Sequence, residues 1–552
     1  MKRNRDEDEV DEPPLKLRRA PADDRLSRLS DELLVRILSF VSVPTLLVCQ
    51  RVSRKFGRLS IDAEIWKAAY YKQFVLPKAS RIPGIKESAY SSHLHYSSKL
   101  SKWLDDSDLV KRGPHTDWKQ QYRLRHNWSR GKCAVSEIVI AERPADPPLL
   151  VMMHNGIVYT ADSVHGLRAW DSKNERGLIA STLLTVDGTE IPQLPTSMAV
   201  DLQEDDSGSQ QRVVVGFEDG SFTVFLLNSE DQSWSTLFSH PPSSNGMLSA
   251  LASSFPYLLT MTEDHLLSLY AFPKSDSGRG LESPELLYSL RSHTAWPPVS
   301  LSLRASGNGI TAAVAFSLPT YLSGWTVGIQ EMRLSHEGQL LESRLSTATD
   351  GLSRTLTGQR SASNPSTRSS SPFSGRLREP SVSHIPSSSK PTSMSYSHPY
   401  LLASHPDNTL TLYLVRSTDT SLNISSGNRL WGHTSSVSGA HVGMRGKAVS
   451  VSRLGNELRV WDLEGGMPSS ATRRRAMIGD LSVRVQPAKS PEGCHDVTVV
   501  DTEQRSGLRS ALDQGFDDST VSRGWVGFDE QNVIVLREKS EGSQALAVYD
   551  FT

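Results

Sequence analysis

Cysteine is scarce: Cys49, Cys133 and Cys494 are the only three in 552 residues, and they lie far apart. That spacing offers neither a disulfide framework nor a cysteine-based zinc motif, so a reducing compartment is the default expectation. An excess of one charge is also lacking, with 60 Lys and Arg against 61 Asp and Glu and a net charge of −1. Such a balance gives no overall pull toward nucleic acid or membrane. No apolar run reaches the roughly 18–20 residues that a membrane span needs, and the N-terminus lacks an apolar signal core. Catalytic signatures are missing as well: there is no P-loop, nucleophile elbow, His-Glu-x-x-His or paired-cysteine site. Ser404, His405 and Asp407 are neighbours along one strand-turn, which does not build a triad. His93 and His95 have no third ligand nearby in sequence and are expected on the surface. The expectation is a non-enzymatic chain of several domains without cofactor or metal.

Residues 1–24 combine dense mixed charge with almost no aliphatic content, which predicts a disordered tail. Lys2-Arg3 and Lys16, Arg18, Arg19 form two basic clusters across an acidic spacer, similar to a bipartite nuclear import signal. Nucleus and cytoplasm are therefore the expected locations.

Residues 29–66 organise the rest. Ser30 is placed to cap a first helix, with Asp31 and Glu32 at its positive end. Leu33, Leu34, Ile37, Leu38 and Val41 recur at helical spacing. Pro44 suits the first turn of a second helix, which carries Leu46, Leu47 and Val48. Val52 follows, and Asp62 caps a last helix with Ile65, Trp66, Ala69 and Tyr70. About 40 residues rarely make a self-sufficient core, so this unit needs a docked neighbour or a partner.

The run Leu29-Ser30-Asp31-Glu32-Leu33, Ile37-Leu38, Pro44-Thr45-Leu46-Leu47, Val52-Ser53-Arg54-Lys55-Phe56 and Ile65-Trp66 resembles the F-box. Ser30 stands where that family has proline, and Phe56 where it has tryptophan. The resemblance implies binding to a Skp-type adaptor, and through it to a cullin. The residues expected to carry the contact are Leu29, Glu32, Leu33, Ile37, Leu38, Pro44, Leu46, Val52 and Trp66. On this reading the F-box covers 25–75 and a helical linker 76–131, rich in Trp, Tyr, His and Lys. Arg125, Asn127, Trp128 and Gly131 resemble the junction at which F-box/WD-repeat proteins enter a β-propeller, where the tryptophan would wedge the linker against the disc.

From about residue 133 the helical period disappears. Alternating Val, Leu, Ile, Tyr and Phe segments follow, broken by Gly, Asp, Asn and Ser turns. Val213–Phe225, Leu258–Tyr270 and Leu401–Tyr413 each read as strand, Asp-led turn, strand, with turns at Asp219, Asp264 and Asp407. Two further units end in Trp170-Asp171 and Trp461-Asp462, the latter preceded by Gly432-His433. They resemble WD repeats, whose His, hydroxyl, turn Asp and Trp form a hydrogen-bonded chain. In the second unit Gly455-Asn456 stands where the aspartate belongs, so that chain is expected to be incomplete. A weaker unit near Trp325–Met332 and a last one at 533–550 complete a count of seven.

The fold class expected is multidomain α plus all-β: an F-box and helical linker, then a seven-bladed WD-repeat β-propeller. The propeller would run over 132–351 and 397–552. Two polar inserts would interrupt it: 352–396, with Ser371-Pro372 as a kinase target, and 471–515, opening on Arg473-Arg474-Arg475. The resemblance makes the propeller a reader of a protein substrate, phosphorylated in some relatives, where arginines around the channel grip the phosphate. Arg168 and Arg459 hold one such position, two residues before the signature tryptophan, and are the expected substrate-binding residues. Other units carry Thr223, Ser268 and Thr411 there. The function implied is substrate recognition for an SCF-type ubiquitin ligase; the alternative is a WD-repeat scaffold whose F-box serves a complex outside ubiquitination.

Overall fold

The computed structural model describes residues 26, 29–76, 117–173, 177–185, 191–201, 210–273, 281–292, 296–306, 309–320, 324–348, 389–418, 420–443, 446–453, 457–463, 482–487, 525–538 and 542–552. The charged tail, His93 and His95, Ser371-Pro372 and Arg473-Arg474-Arg475 lie outside them. Two compact units divide the chain, residues 1–125 and 126–552.

The first unit is built from short helices: α1 (Asp31–Leu38), α2 (Val43–Cys49), α3 (Arg54–Leu59) and α4 (Ala63–Tyr70), the last running into a π-helical turn at Tyr71–Val75. Ser53 Oγ accepts the Phe56 amide and Asp62 the Glu64 amide, closing the first turns of α3 and α4. Ser30 occupies the N-cap of α1 in extended backbone, but its side chain makes no capping bond. Asp31 instead reaches across to Lys55 and Arg58 and ties α1 to α3. Pro44 opens α2. The core joins Leu34, Leu38, Leu46, Leu59, Ile65, Trp66 and Tyr70 to Trp118, on α5 (Trp118–Arg130). Trp66 donates its ring N–H to the Ser60 carbonyl at 2.8 Å and meets Tyr122 edge-on at 5.5 Å.

Beyond α5, seven sheets are described. Blades 1 to 4 are four-stranded antiparallel meanders within residues 150–182, 195–240, 248–291 and 296–347. Blade 5 runs over 393–430 and blade 6 over 437–484. Blade 7 takes Val526–Phe528, Asn532–Glu538 and Gln544–Asp550 from the end of the chain and Lys132–Ala141 from the start of the propeller. That last pairing is antiparallel, from Ala134 opposite Asp550 to Ala141 opposite Gln544. Alternate residues of facing sheets fill the space between blades, as where Leu259, Met261 and Leu269 of blade 3 meet Ile310, Ala312 and Phe316 of blade 4.

Two expected inserts were drawn too wide. Strand Ser393–Ser397 opens blade 5, and Ser482–Arg484 is the outer strand of blade 6. Both are short, and neither has the aliphatic alternation that marks the other strands.

The end of α5 is built as the junction residues suggest. Trp128 is buried, stacks on Phe551 with ring centres 4.1 Å apart, and donates to the Glu530 carbonyl at 2.8 Å. Asn127 donates to the Phe551 carbonyl at 2.8 Å. Gly131 follows at φ +67°, and a Cβ there would lie 2.3 Å from the Arg484 carbonyl oxygen, so only glycine fits.

In blade 5 His405 is buried and shares a 2.9 Å hydrogen bond with the Thr411 hydroxyl. Burial, the largest influence, lowers its pKa from 6.5 to about 4. The unfolded chain therefore takes up a proton there near pH 6.5 while the native chain does not. The stability contributed by the neutral imidazole is complete above pH 6.5 and is lost as pH falls toward 4. Urea midpoints measured from pH 7 to pH 4 should fall more steeply for the wild-type chain than for His405→Gln.

Candidate protein-interaction surfaces

The helices of the first unit divide their apolar side chains between two destinations. On α1, Leu34 and Leu38 are 1% and 2% exposed, whereas Leu33 and Ile37 are 54% and 45% exposed. Leu33 and Ile37 are one turn apart and share a face. On α2, Leu46 points into the core while Leu47 and Val48 face solvent. Phe40, Val52 and Ile61 are also exposed. Half of a strongly apolar helical surface is thus left in water.

The nine expected adaptor contacts separate along the same line. Glu32, Leu33, Ile37, Pro44 and Val52 lie on the surface. Leu29 is half-buried against the core, and its carbonyl accepts from Lys55 Nζ at 2.9 Å. Leu38, Leu46 and Trp66 are interior and hold the helices together, which corrects their placement at the contact. Periodicity finds an apolar helix but does not say which of two adjacent apolar residues turns inward. Phe40, Leu47 and Val48 were not among the expected contacts, although the run Leu46-Leu47-Val48 is broader than one buried face.

The two propeller arginines have internal partners. Arg168 is buried, paired with buried Asp162 at 2.8 Å, and donates to the Ile140 carbonyl at 2.9 Å. Arg459 pairs with buried Glu457 at 2.8 Å and donates to the Ser482 hydroxyl at 2.8 Å. Both charges are met within the fold, so neither stands as an open phosphate grip. Asp162 also accepts the Val164 and His165 amides, and Asp219 the Ser221 amide, as Asp-led turns require.

Blade 6 brings a different carboxylate to the network that its sequence left open, while His433 Nδ1 makes no hydrogen bond among the described residues. Trp461 Nε1 donates to Ser450 Oγ at 2.7 Å, and Ser450 Oγ lies 2.6 Å from His433 Nε2. Glu457 takes the place of the missing aspartate. It accepts from the Thr434 amide and hydroxyl, and its Oε2 stands 3.5 Å from His433 Nδ1. Burial alone would raise its pKa, but the nearby His433 ring and hydrogen bonds from Thr434 and Arg459 outweigh that and hold the carboxyl well below the usual range. The signal was present in sequence as a carboxylate two residues before Arg459, displaced from the position where the turn acid is expected.

Residues 26–72 match the F-box-like family, and residues 133–552 match the family described as F-box protein pof12 beta-propeller. The chain is thus an F-box protein with a β-propeller, a class whose fold is typically a non-enzymatic interaction module. Within that class, it belongs to the F-box protein pof12 beta-propeller family, whose model covers most of its length. F-box protein dre-1 of Caenorhabditis elegans is 30% identical over 105 residues, 19% of this chain and 9% of that protein, so the chain spans about a tenth of this relative's length. Among solved structures, Sqt1 of Saccharomyces cerevisiae is 10% identical over 76% of this chain and 99% of that one, with a TM-score of 0.37. YCF48 of Cyanidioschyzon merolae is 9% identical over 75% of this chain and 98% of that one, with a TM-score of 0.39.

The inward and outward rows on α1 make a direct comparison. Leu34→Ala should cost about 2–5 kcal/mol as a cavity in the helical core, whereas Leu33→Ala should stay within about 0.5 kcal/mol. Amide-exchange protection of α1 and α4 in the full chain measures both.

Proposed function

We propose that this protein is the substrate-recognition subunit of an SCF-type E3 ubiquitin ligase. The F-box binds a Skp-type adaptor and, through it, a cullin; the propeller binds the protein to be ubiquitinated. The observation that carries the reading is the outward row on α1 and α2: Leu33, Ile37, Leu47 and Val48 remain exposed while the same helices have a complete core beneath them. Covering a half-exposed Leu, Ile or Val recovers about 1 kcal/mol, at roughly 25 cal/mol per Å². Several together offset the ordering cost of docking a helical partner. Pro44 and Glu32 lie beside that row on the surface. The chain's contribution to ubiquitin transfer is proximity, since it holds the target beside the transfer machinery.

A scaffold outside ubiquitination would use the same helices to bind the adaptor without a cullin. The import-like basic clusters support nuclear as well as cytoplasmic residence. Leu33→Lys with Ile37→Lys should abolish adaptor capture by the full chain, because a lysine charge cannot be buried cheaply in an apolar contact. The propeller should keep its cooperative unfolding transition. Unchanged adaptor capture would overturn the assignment, and adaptor capture without cullin by the wild-type chain would favour the scaffold.

A further inference from the structure

Blade 4 places two tryptophans at one corner. Trp296 begins its inner strand (Trp296–Ser306) and Trp325 begins its third (Trp325–Leu334), with Gly309–Pro319 between them. Trp296 stands opposite Ser317, and Trp325 opposite Pro319. Ser317 and Pro319 are two residues apart, so both indoles come to one face of the sheet. It is the face toward blade 5: Ala313, Ala315, Val327 and Ile329 of the same rows pack there against Tyr396 and Leu401. The tryptophans close those rows at the end of the strands where Asp219, Asp264 and Asp407 turn in blades 2, 3 and 5.

The two rings stand nearly at right angles, 82° between planes with centroids 6.5 Å apart. Trp296 is 49% exposed and Trp325 half-buried. The buried Ser317 hydroxyl donates to the Trp296 and Pro297 carbonyls at 3.0 and 2.9 Å, which pins the start of the inner strand. A cation already sits on one ring: Lys390 Nζ lies 5.3 Å from the Trp325 centroid. The backbone that carries it is tied down. The His405 ring is hydrogen-bonded to the Ser389 backbone, Pro391 is buried, and the Thr392 amide donates to the Ser404 carbonyl at 2.8 Å. Among the described residues Lys390 makes no ion pair, so an aromatic face rather than a carboxylate meets its ammonium.

We propose that the Trp296–Trp325 corner binds a trimethylated lysine side chain of a partner protein, and that Lys390 is the internal competitor it displaces. A plain ammonium carries three N–H donors, and a ring face attracts its charge without offering them an acceptor. A trimethylammonium has no such donors to satisfy. Its charge is spread over methyl groups that pack against indole faces. A partner's unmodified lysine gains nothing over Lys390, which is held beside the ring by its own chain. The methylated one does. A half-exposed corner also suits a long side chain reaching in from another polypeptide better than a small free cation, which needs enclosure on most sides. The corner lies in the propeller, and the inference stands whether or not the F-box binds an adaptor.

The test is a proton NMR titration of Nα-acetyl-Nε-trimethyl-lysine amide with the full chain, following the N-methyl resonance, which aromatic ring currents move upfield. Three comparison ligands are acetyl-lysine amide, the neutral analogue with a tert-butyl group in place of trimethylammonium, and choline. The trimethyl-lysine probe should show a saturable upfield shift and bind about fivefold more tightly than either the unmethylated or the neutral analogue. Lys390→Gln should tighten it about threefold, since the ring is then vacant in the free chain. Trp296→Leu with Trp325→Leu should erase the preference for the charged probe over the neutral one. The neutral analogue is compared on the wild-type chain, so a variant that fails to fold leaves the test intact. Equal binding of the neutral analogue, absence of an upfield shift, or an affinity that Lys390→Gln leaves unchanged or weakens overturns the proposal. Tighter binding of choline than of the trimethyl-lysine probe overturns the assignment to a protein side chain.

Discussion

Blade 7 borrows its outer strand, residues 132–141, from the beginning of the propeller and hydrogen-bonds it to Gln544–Asp550. Without that loan the last sheet would end in a strand with open N–H and C=O groups, and the first would have no neighbour on one side. Open edges invite pairing with other chains; a closed ring leaves none along its seam. The contacts at the end of α5 reinforce the seam, since Trp128 stacks on Phe551 and Asn127 bonds its carbonyl, 424 positions apart in sequence. The buried network of blade 1 depends on this register, since Arg168 donates to the Ile140 carbonyl on the borrowed strand.

The helical unit faces the opposite problem. It must hold its shape with few residues and still leave apolar surface uncovered. It does so by giving adjacent leucines different tasks: Leu34 and Leu38 pack with Trp66 and Trp118, while Leu33 and Ile37 stay in water. Aromatic edge contacts at Trp66–Tyr122 and Tyr70–Trp118 fill the small core with large side chains. Exposure on one face is compatible with order on the other because the interior is aromatic and dense.

Much of this architecture was legible from residue pattern alone. Seven strand-turn units, the helical run and the Asn127-Trp128 junction all have strong local signals: alternation, Asp-led turns, helical spacing. Side-chain direction was less legible. Leu38, Leu46 and Trp66 read as contact residues and are interior, because spacing defines a stripe without defining its centre. Arg168 and Arg459 read as open cations, yet Asp162 and Glu457 neutralise them, the first from six residues away across a turn and the second from two residues away on the same face. Glu457 also replaces the turn aspartate from a displaced position, where it stands beside Thr434 and His433.

The shared seventh sheet has a consequence for the order of events during synthesis. The ribosome delivers residues 132–141 long before their partner strand at 544–550, so the disc cannot shut until translation of that strand is done. The F-box helices draw their core from residues between Leu29 and Tyr122, so they can fold while the ring is still open. A nascent chain of this design therefore completes its helical unit well before its ring.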